Sequence, residues 1–172
     1  RREHMCTSNL EYLLKARGGQ FGQVESGKCN HSFLGDVLLA AKMEAEDIKS
    51  RLNNNGNSSS ICRAIKYSFA DLGDIIRGKD LWEHKDFKKL EEHLVKIFEK
   101  IKTELKGTFG KKYDSDSNGK HTQLRADWWE ANRAKVWEAM KCPKNGIKCD
   151  NGETPLDDYV PQRLRWMTEW AE

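Results

Sequence analysis

The run "DSDSNGKHTQLR", residues 114 to 125, carries residue types that bind calcium. Asp114, Asp116 and Asn118 stand at the first, third and fifth positions of an EF-hand loop, and Gly119 stands at the sixth, where the chain must turn sharply. The twelfth position should supply a bidentate Glu, and Arg125 is there instead. A guanidinium brings positive charge to an ion that needs two carboxylate oxygens. The preceding "GTFGKKY" also places two glycines where the incoming helix should be. A calcium-responsive helical protein built on Asp114–Arg125 is thus an alternative with both Arg125 and the incoming glycines against it.

Other chemistry is sparser. His4, His31, His84, His93 and His121 show neither H-E-x-x-H nor any paired ligand spacing, and read as surface histidines. No G-x-S-x-G, Walker loop or G-x-G-x-x-G occurs, so nothing calls for an enzyme, a cofactor or a metal. Asp157 and Asp158 precede the final helical stretch, where negative charge favours the helix dipole and suggests a capping role. Five cysteines, Cys6, Cys29, Cys62, Cys142 and Cys149, form no C-x-x-C pair, which favours a disulfide framework over zinc or thioredoxin chemistry. Five cannot all pair within the chain, so one is expected to stay free or to bond elsewhere. Two sequons, Asn30-His31-Ser32 and Asn57-Ser58-Ser59, permit glycosylation in a secreted protein. Lys88, Lys89, Lys96 and Lys100 offer a basic surface to an acidic glycan, or simply a solvated helix face.

The elements that must position these groups are helical. In "SFLGDVLLAAKMEAEDIKSRL", Leu34, Val37, Leu38, Ala41, Ala45, Ile48 and Leu52 recur at three- and four-residue steps. A second stripe, Ile61, Ile65, Phe69, Leu72 and Ile76, ends at Gly78, a good left-handed stop. A third, Phe87, Leu90, Leu94, Ile97, Ile101 and Leu105, is predicted to end at Gly107. "TQLRADWWEANRAKVWEAMKC" has a broad apolar face of Leu124, Trp128, Trp129, Ala131, Val136 and Met140. The last stretch, "DDYVPQRLRWMTEWAE", puts Trp166 and Trp170 on one side, with Leu164 and Met167 close by. It has no capping Gly, Asn or Pro after Trp170, and that stripe is expected to need a packing partner from further sequence. The fold class is all-α: an irregular segment over residues 1–31, then a helical region over 32–172 arranged as an antiparallel bundle.

Composition sets the outer limits. The chain of 172 residues is 37% hydrophobic and 33% charged, with a net charge of +3, a mixed surface that does not suggest a nucleic-acid partner. Mean hydropathy is −0.84, and no apolar run approaches the roughly 18 residues that a bilayer span needs. The opening "RREHMCTSNL", with no leading Met, reads as a cut from a longer protein.

Four blocks in order carry a resemblance: "RREHMCTSNL", "SFADLGDIIRGKDLW", "DWWEANRAKVWEAMKC" and "DDYVPQRLRWMTEWAE". Together they resemble the Duffy-binding-like (DBL) domains of Plasmodium falciparum erythrocyte membrane protein 1, with the ending nearer the beta class. The resemblance covers the whole chain. It implies a DBL fold whose irregular, disulfide-tied first subdomain leads into a helix bundle, with the third subdomain absent from this sequence. It implies a non-enzymatic cell-adhesion module of a variant surface antigen, displayed outside the infected erythrocyte and attached to the membrane only through a distant transmembrane segment. The implied partner is a host cell-surface receptor, intercellular adhesion molecule 1 first, with a sulfated glycan or rosetting receptor as the alternative. No receptor-binding residues carry over. The resemblance also implies disulfides Cys6–Cys29 and Cys62–Cys142, leaving Cys149 unpaired or paired outside the chain; exchange of Cys142 with Cys149 stays open.

Overall fold

A computed structural model describes residues 28–52, 58–81, 85–109, 111–114, 116, 119–141, 149 and 153–171. Five helices occur among these residues: α1 (Cys29–Leu52), α2 (Ser58–Arg77), α3 (Lys85–Phe109), α4 (Thr122–Lys141) and α5 (Gln162–Ala171). A short 3-10 turn, Asp157–Tyr159, precedes α5, and no strand occurs among the described residues.

One apolar core joins the first four helices. Asn30 lies beside Trp128 and Lys49 beside Met140, so α1 and α4 run side by side in the same direction. α2 runs opposite to them: its last turn meets Arg125 near the start of α4, while Phe69 packs on Trp129 and Trp137. α3 lies against the opening turns of α1 and α4, where Phe98 meets Phe33 at 5.3 Å and Trp128 at 6.0 Å between ring centres. Edge-to-face and tilted pairs of this kind bind through the ring quadrupole as well as through buried area.

The stripe on α1 is turned by one residue from the sequence expectation. Phe33, Val37, Ala40, Ala41, Ala45 and Ile48 are buried, while Leu34, Leu38 and Leu52 only partly cover the core. Phe33 decides this, because its ring wedges between Phe98 and Trp128. On α3, Leu90, Leu94, Ile97 and Ile101 are buried as expected, joined by Phe98; the Phe87 side chain lies outside the description. On α4, Ala131 is exposed and Trp137 takes a core place instead.

Two glycine expectations part company. Gly78 adopts φ +70° and closes α2, with Gly78 N–H donating to the Ile75 carbonyl and Lys79 N–H to that of Asp74. Those two bonds make a Schellman cap. Gly107 does not stop α3, which runs on to Phe109. A glycine ends a helix only where the backbone turns left-handed, and at Gly107 it does not. α1 also begins at Cys29, three residues before the predicted Ser32, because the Glu104 carboxylate of α3 accepts the Cys29 and Asn30 N–H groups at 3.1 and 3.4 Å. A carboxylate supplied from another helix fills the place of a local N-cap.

The disulfide expectation needs correction. Cys62 bonds to Cys149, not to Cys142, with Cα atoms 4.9 Å apart. Cys149 sits against the N-terminal part of α2, at a separation that a disulfide can span. Cys149 is therefore not the odd cysteine, and Cys142 lies outside the described residues. Cys29 is a buried thiol with no disulfide among the described residues, and Cys6, its expected partner, lies outside the description. Burial and the nearby Glu104 carboxylate push the Cys29 thiol above its ordinary range.

Candidate receptor-binding surface

The polar groups on the buried side of α2 build the end of the molecule where α5 docks. Asp71 and Asp74 are three residues apart and share a face, and both accept from the Arg165 guanidinium of α5, at 2.6 and 2.7 Å. Arg77, one step further along, donates to Asp74 at 2.9 Å and to the Asp158 carbonyl at 2.6 Å. Arg133 of α4 grips both Asp158 carboxylate oxygens, at 2.6 and 3.0 Å, and also donates to the Pro155 carbonyl. Trp129 completes the set through an indole N–H to Asp158 at 2.8 Å. Gln162 donates to Asp71 and Asp80 while its carbonyl accepts from Leu81 N–H. Burial drives the Asp74 carboxyl above its usual range, and the Arg165 and Arg77 guanidinium groups pull it back. Asp158 is thus no helix cap, as its place in the sequence suggested, but the acceptor that holds the 3-10 turn on α4.

This docking turns α5 inside out. Its buried side chains are Gln162 and Arg165, while Leu164, Met167 and Trp170 are 53%, 67% and 79% exposed. Leu156, Tyr159 and Val160 just before it are exposed as well. Most of the large exposed apolar side chains of the described residues therefore gather between residues 156 and 170, and such concentration marks an interaction surface. The stripe expected on α5 exists, but it faces outward; Trp166 alone is half-buried.

The other sequence candidates fall in separate places. Arg125, the misfit of the calcium pattern, is fully buried, and its Nη1 donates back to the Lys120 carbonyl of the loop at 3.4 Å. It donates to the Ile76 and Ile75 carbonyls at 2.6 and 2.9 Å, satisfying α2's last turn, and pairs in two-pronged fashion with Glu91 of α3 at 2.6 and 2.9 Å. Asp114 pairs with Lys102, and Asp116 accepts from the Thr122 hydroxyl; Asn118 lies outside the description. Among the described residues, no three His, Cys, Asp or Glu side chains come together as a metal set. Lys88, Lys89 and Lys96 are exposed on α3 and Lys100 is half-buried. Helix geometry puts Lys89, Lys96 and Lys100 within about 40° of one line and leaves Lys88 about 100° away from Lys89.

His31 is exposed, and His93 and His121 are half-buried; His4 and His84 lie outside the description. Asn30, the first sequon asparagine, accepts the Trp128 indole N–H at 2.7 Å, and Asn57 lies outside the description. The Arg–Asp cluster went unseen in the sequence although it left a mark there. Asp71 and Asp74 each sit beside a core residue of their helix, so a charge occupies an apolar face and needs a buried partner.

The comparisons with known proteins bear on this assembly. Residues 1–165 match the Duffy binding domain family. The chain belongs to that family. Among solved structures, a DBLbeta domain of PfEMP1 described as bound to human ICAM-1 is 51% identical, with a TM-score of 0.89, over 99% of this chain and 39% of that one. The ICAM-1-binding DBLbeta domain of PfEMP1 variant IT4var13 is 53% identical, with a TM-score of 0.83, over 99% of this chain and 41% of that one. The Duffy receptor beta form of Plasmodium knowlesi is 30% identical over 131 residues, 73% of this chain and 10% of that protein. This DBL chain thus spans about two fifths of the solved domains and a tenth of the curated receptor it matches. Its family consists of receptor-binding adhesion domains, and its helical fold is theirs.

Proposed function

We propose that this chain is the N-terminal part of a DBLbeta adhesion domain that binds a host cell-surface receptor, with ICAM-1 the leading partner. The observation carrying this reading is the 51% identity and 0.89 TM-score, over 99% of the chain, to a DBLbeta domain described as bound to human ICAM-1. The protein acts by binding and not by catalysis. It is displayed extracellularly on the infected erythrocyte, and its membrane attachment lies in a distant segment. Among the described residues, no helix is long and apolar enough to cross a membrane.

In this reading residues 1–31 are a segment of the first of three subdomains, and the helical region over 32–172 includes most of the second. The third covers the outward face of α5. The matched share of the solved domains, about two fifths, leaves ample polypeptide for it. Surface plasmon resonance of the complete domain against immobilised ICAM-1 tests the receptor: saturable binding is expected, and its absence removes ICAM-1.

A glycan-binding reading has one observation in its favour, the line of Lys89, Lys96 and Lys100 on α3. It requires heparin retention that falls as salt rises and disappears when Lys88, Lys89, Lys96 and Lys100 are neutralised.

A further inference from the structure

A cleft of about 410 Å³ opens between the end of α2, Lys79 and Leu81 just after it, the 3-10 turn and the start of α5. Asp74, Arg77 and Asp158 line its floor, and they belong to the Arg–Asp cluster in which Arg77, Arg133 and Arg165 balance Asp71, Asp74 and Asp158 charge for charge. Its rim is not balanced. Lys79 and Arg163 both line the cleft, both are exposed, and neither pairs with a carboxylate among the described residues. The acid nearest Lys79 in sequence, Asp80, accepts from the Gln162 amide, and the one nearest Arg163, Asp158, is held by Arg133 and Trp129. Arg77 lines the same cleft with a side chain only 9% exposed. Its Nε and Nη2 are committed to Gly73, Asp74 and Asp158, whereas its Nη1 has no partner among the described residues. Leu81, Tyr159 and Val160 frame the opening and are 44%, 52% and 42% exposed.

We propose that this cleft receives a carboxylate side chain with an apolar neighbour, presented by an acidic segment of a protein partner. The carboxylate meets Arg77 Nη1 between Lys79 and Arg163, and its neighbour lies on Leu81 and Val160. Two rim cations and one guanidinium edge suit a single anionic group. A sulfated polymer needs a longer row of cations, and it would gain little from the apolar frame. The inference rests on reading the chain as a protein-binding module, but not on the identity of the receptor.

The test is an NMR titration of isotope-labelled protein with a capped leucyl-glutamyl-leucine tripeptide, alongside its glutamine counterpart. The expected result is saturable shifts at the amides of Lys79, Leu81, Val160 and Arg163 with the glutamate peptide. The glutamine peptide should bind about tenfold more weakly, as loss of a charge-assisted contact implies. The exposed-site variants K79E and R163E should each weaken the glutamate peptide by a similar factor while leaving the remaining spectrum folded. No saturable shift, equal response to both peptides, or indifference to both variants overturns the proposal. So does a heparin-derived oligosaccharide that saturates the same amides more tightly than the peptide. Loss of ICAM-1 binding by the complete domain would not alter these outcomes, so the two readings fail separately.

Discussion

At the scale of single residues, two positions carry more constraint than their chemistry suggests. Gly73 sits in mid-helix, where glycine is intrinsically costly by roughly 0.5–1 kcal/mol relative to alanine. A Cβ there would come within 2.8 Å of two carbons of the Trp129 ring, itself held by the bond to Asp158. The close approach of α2 and α4 therefore outweighs propensity. Gly73→Ala should lower stability by about 1–3 kcal/mol, read as a shift in the urea midpoint with an unchanged slope. A gain in stability would show that Trp129 can move aside. Arg125 is the second such residue. Removing its guanidinium strands the Ile76 carbonyl and Glu91 and takes the second donor from the Ile75 carbonyl, which keeps Gly78 N–H, so Arg125→Met should cost about 3–5 kcal/mol. Glu91 is partly exposed, so Glu91→Gln should cost only about 1 kcal/mol in the same denaturation experiment. Equal costs would mean that the ion pair, and not the carbonyl capping, is what Arg125 supplies.

At the scale of elements, the sequence made the helices readable because each carries a three-to-four-residue apolar rhythm, but it left their ends and partners less clear. The stop at Gly78 was legible since it also terminates a stripe, whereas Gly107 looked equivalent and is not. The start of α1 depends on Glu104, 75 residues away, and no local pattern announces a cap supplied from another helix. The same limit explains the cysteines. Cys142 closes the α4 pattern and looks like the natural partner of Cys62, but the return of the chain after α4 delivers Cys149. The candidate surface was half legible: the Trp166–Trp170 stripe could be seen, but which way it faced depended on Asp71 and Asp74 in a distant helix. Closing the 87-residue separation restrains the unfolded chain by about 4.6 kcal/mol in the loop-entropy account, so Cys149→Ser should lower the unfolding midpoint strongly. Cys142→Ser should leave the Cys62–Cys149 peptide intact in non-reducing mass mapping, and recovery of Cys62 linked to Cys142 from the unaltered protein would reverse the assignment.

At the scale of the whole molecule, α5 is held by polar groups and presents its apolar side outward. An isolated amphipathic helix does the opposite, because burying Leu, Met and Trp is favourable and burying Arg and Gln requires every donor to find an acceptor. Here Arg165 Nη1 and Nη2 find the Val160 carbonyl, Asp71 and Asp74, and only Nε is left without an acceptor among the described residues, so α5 docks in a fixed register while Leu164, Met167 and Trp170 stay free for another surface. The Trp166 indole N–H is buried with no acceptor among the described residues. If the third subdomain covers this face, the energetic role of Trp170 must depend on how much of the domain is present. In the 172-residue chain, Trp170→Lys should change stability by no more than about 0.5 kcal/mol, as for other exposed positions. In the complete domain the same change should cost about 3 kcal/mol or more, the scale of losing a large buried aromatic, and place a lysine in an apolar contact. Parallel thermal or urea unfolding of the two forms measures the difference. Equal, small effects in both would leave Trp170 at a free surface in the complete domain and make the outward face of α5 available to the receptor itself.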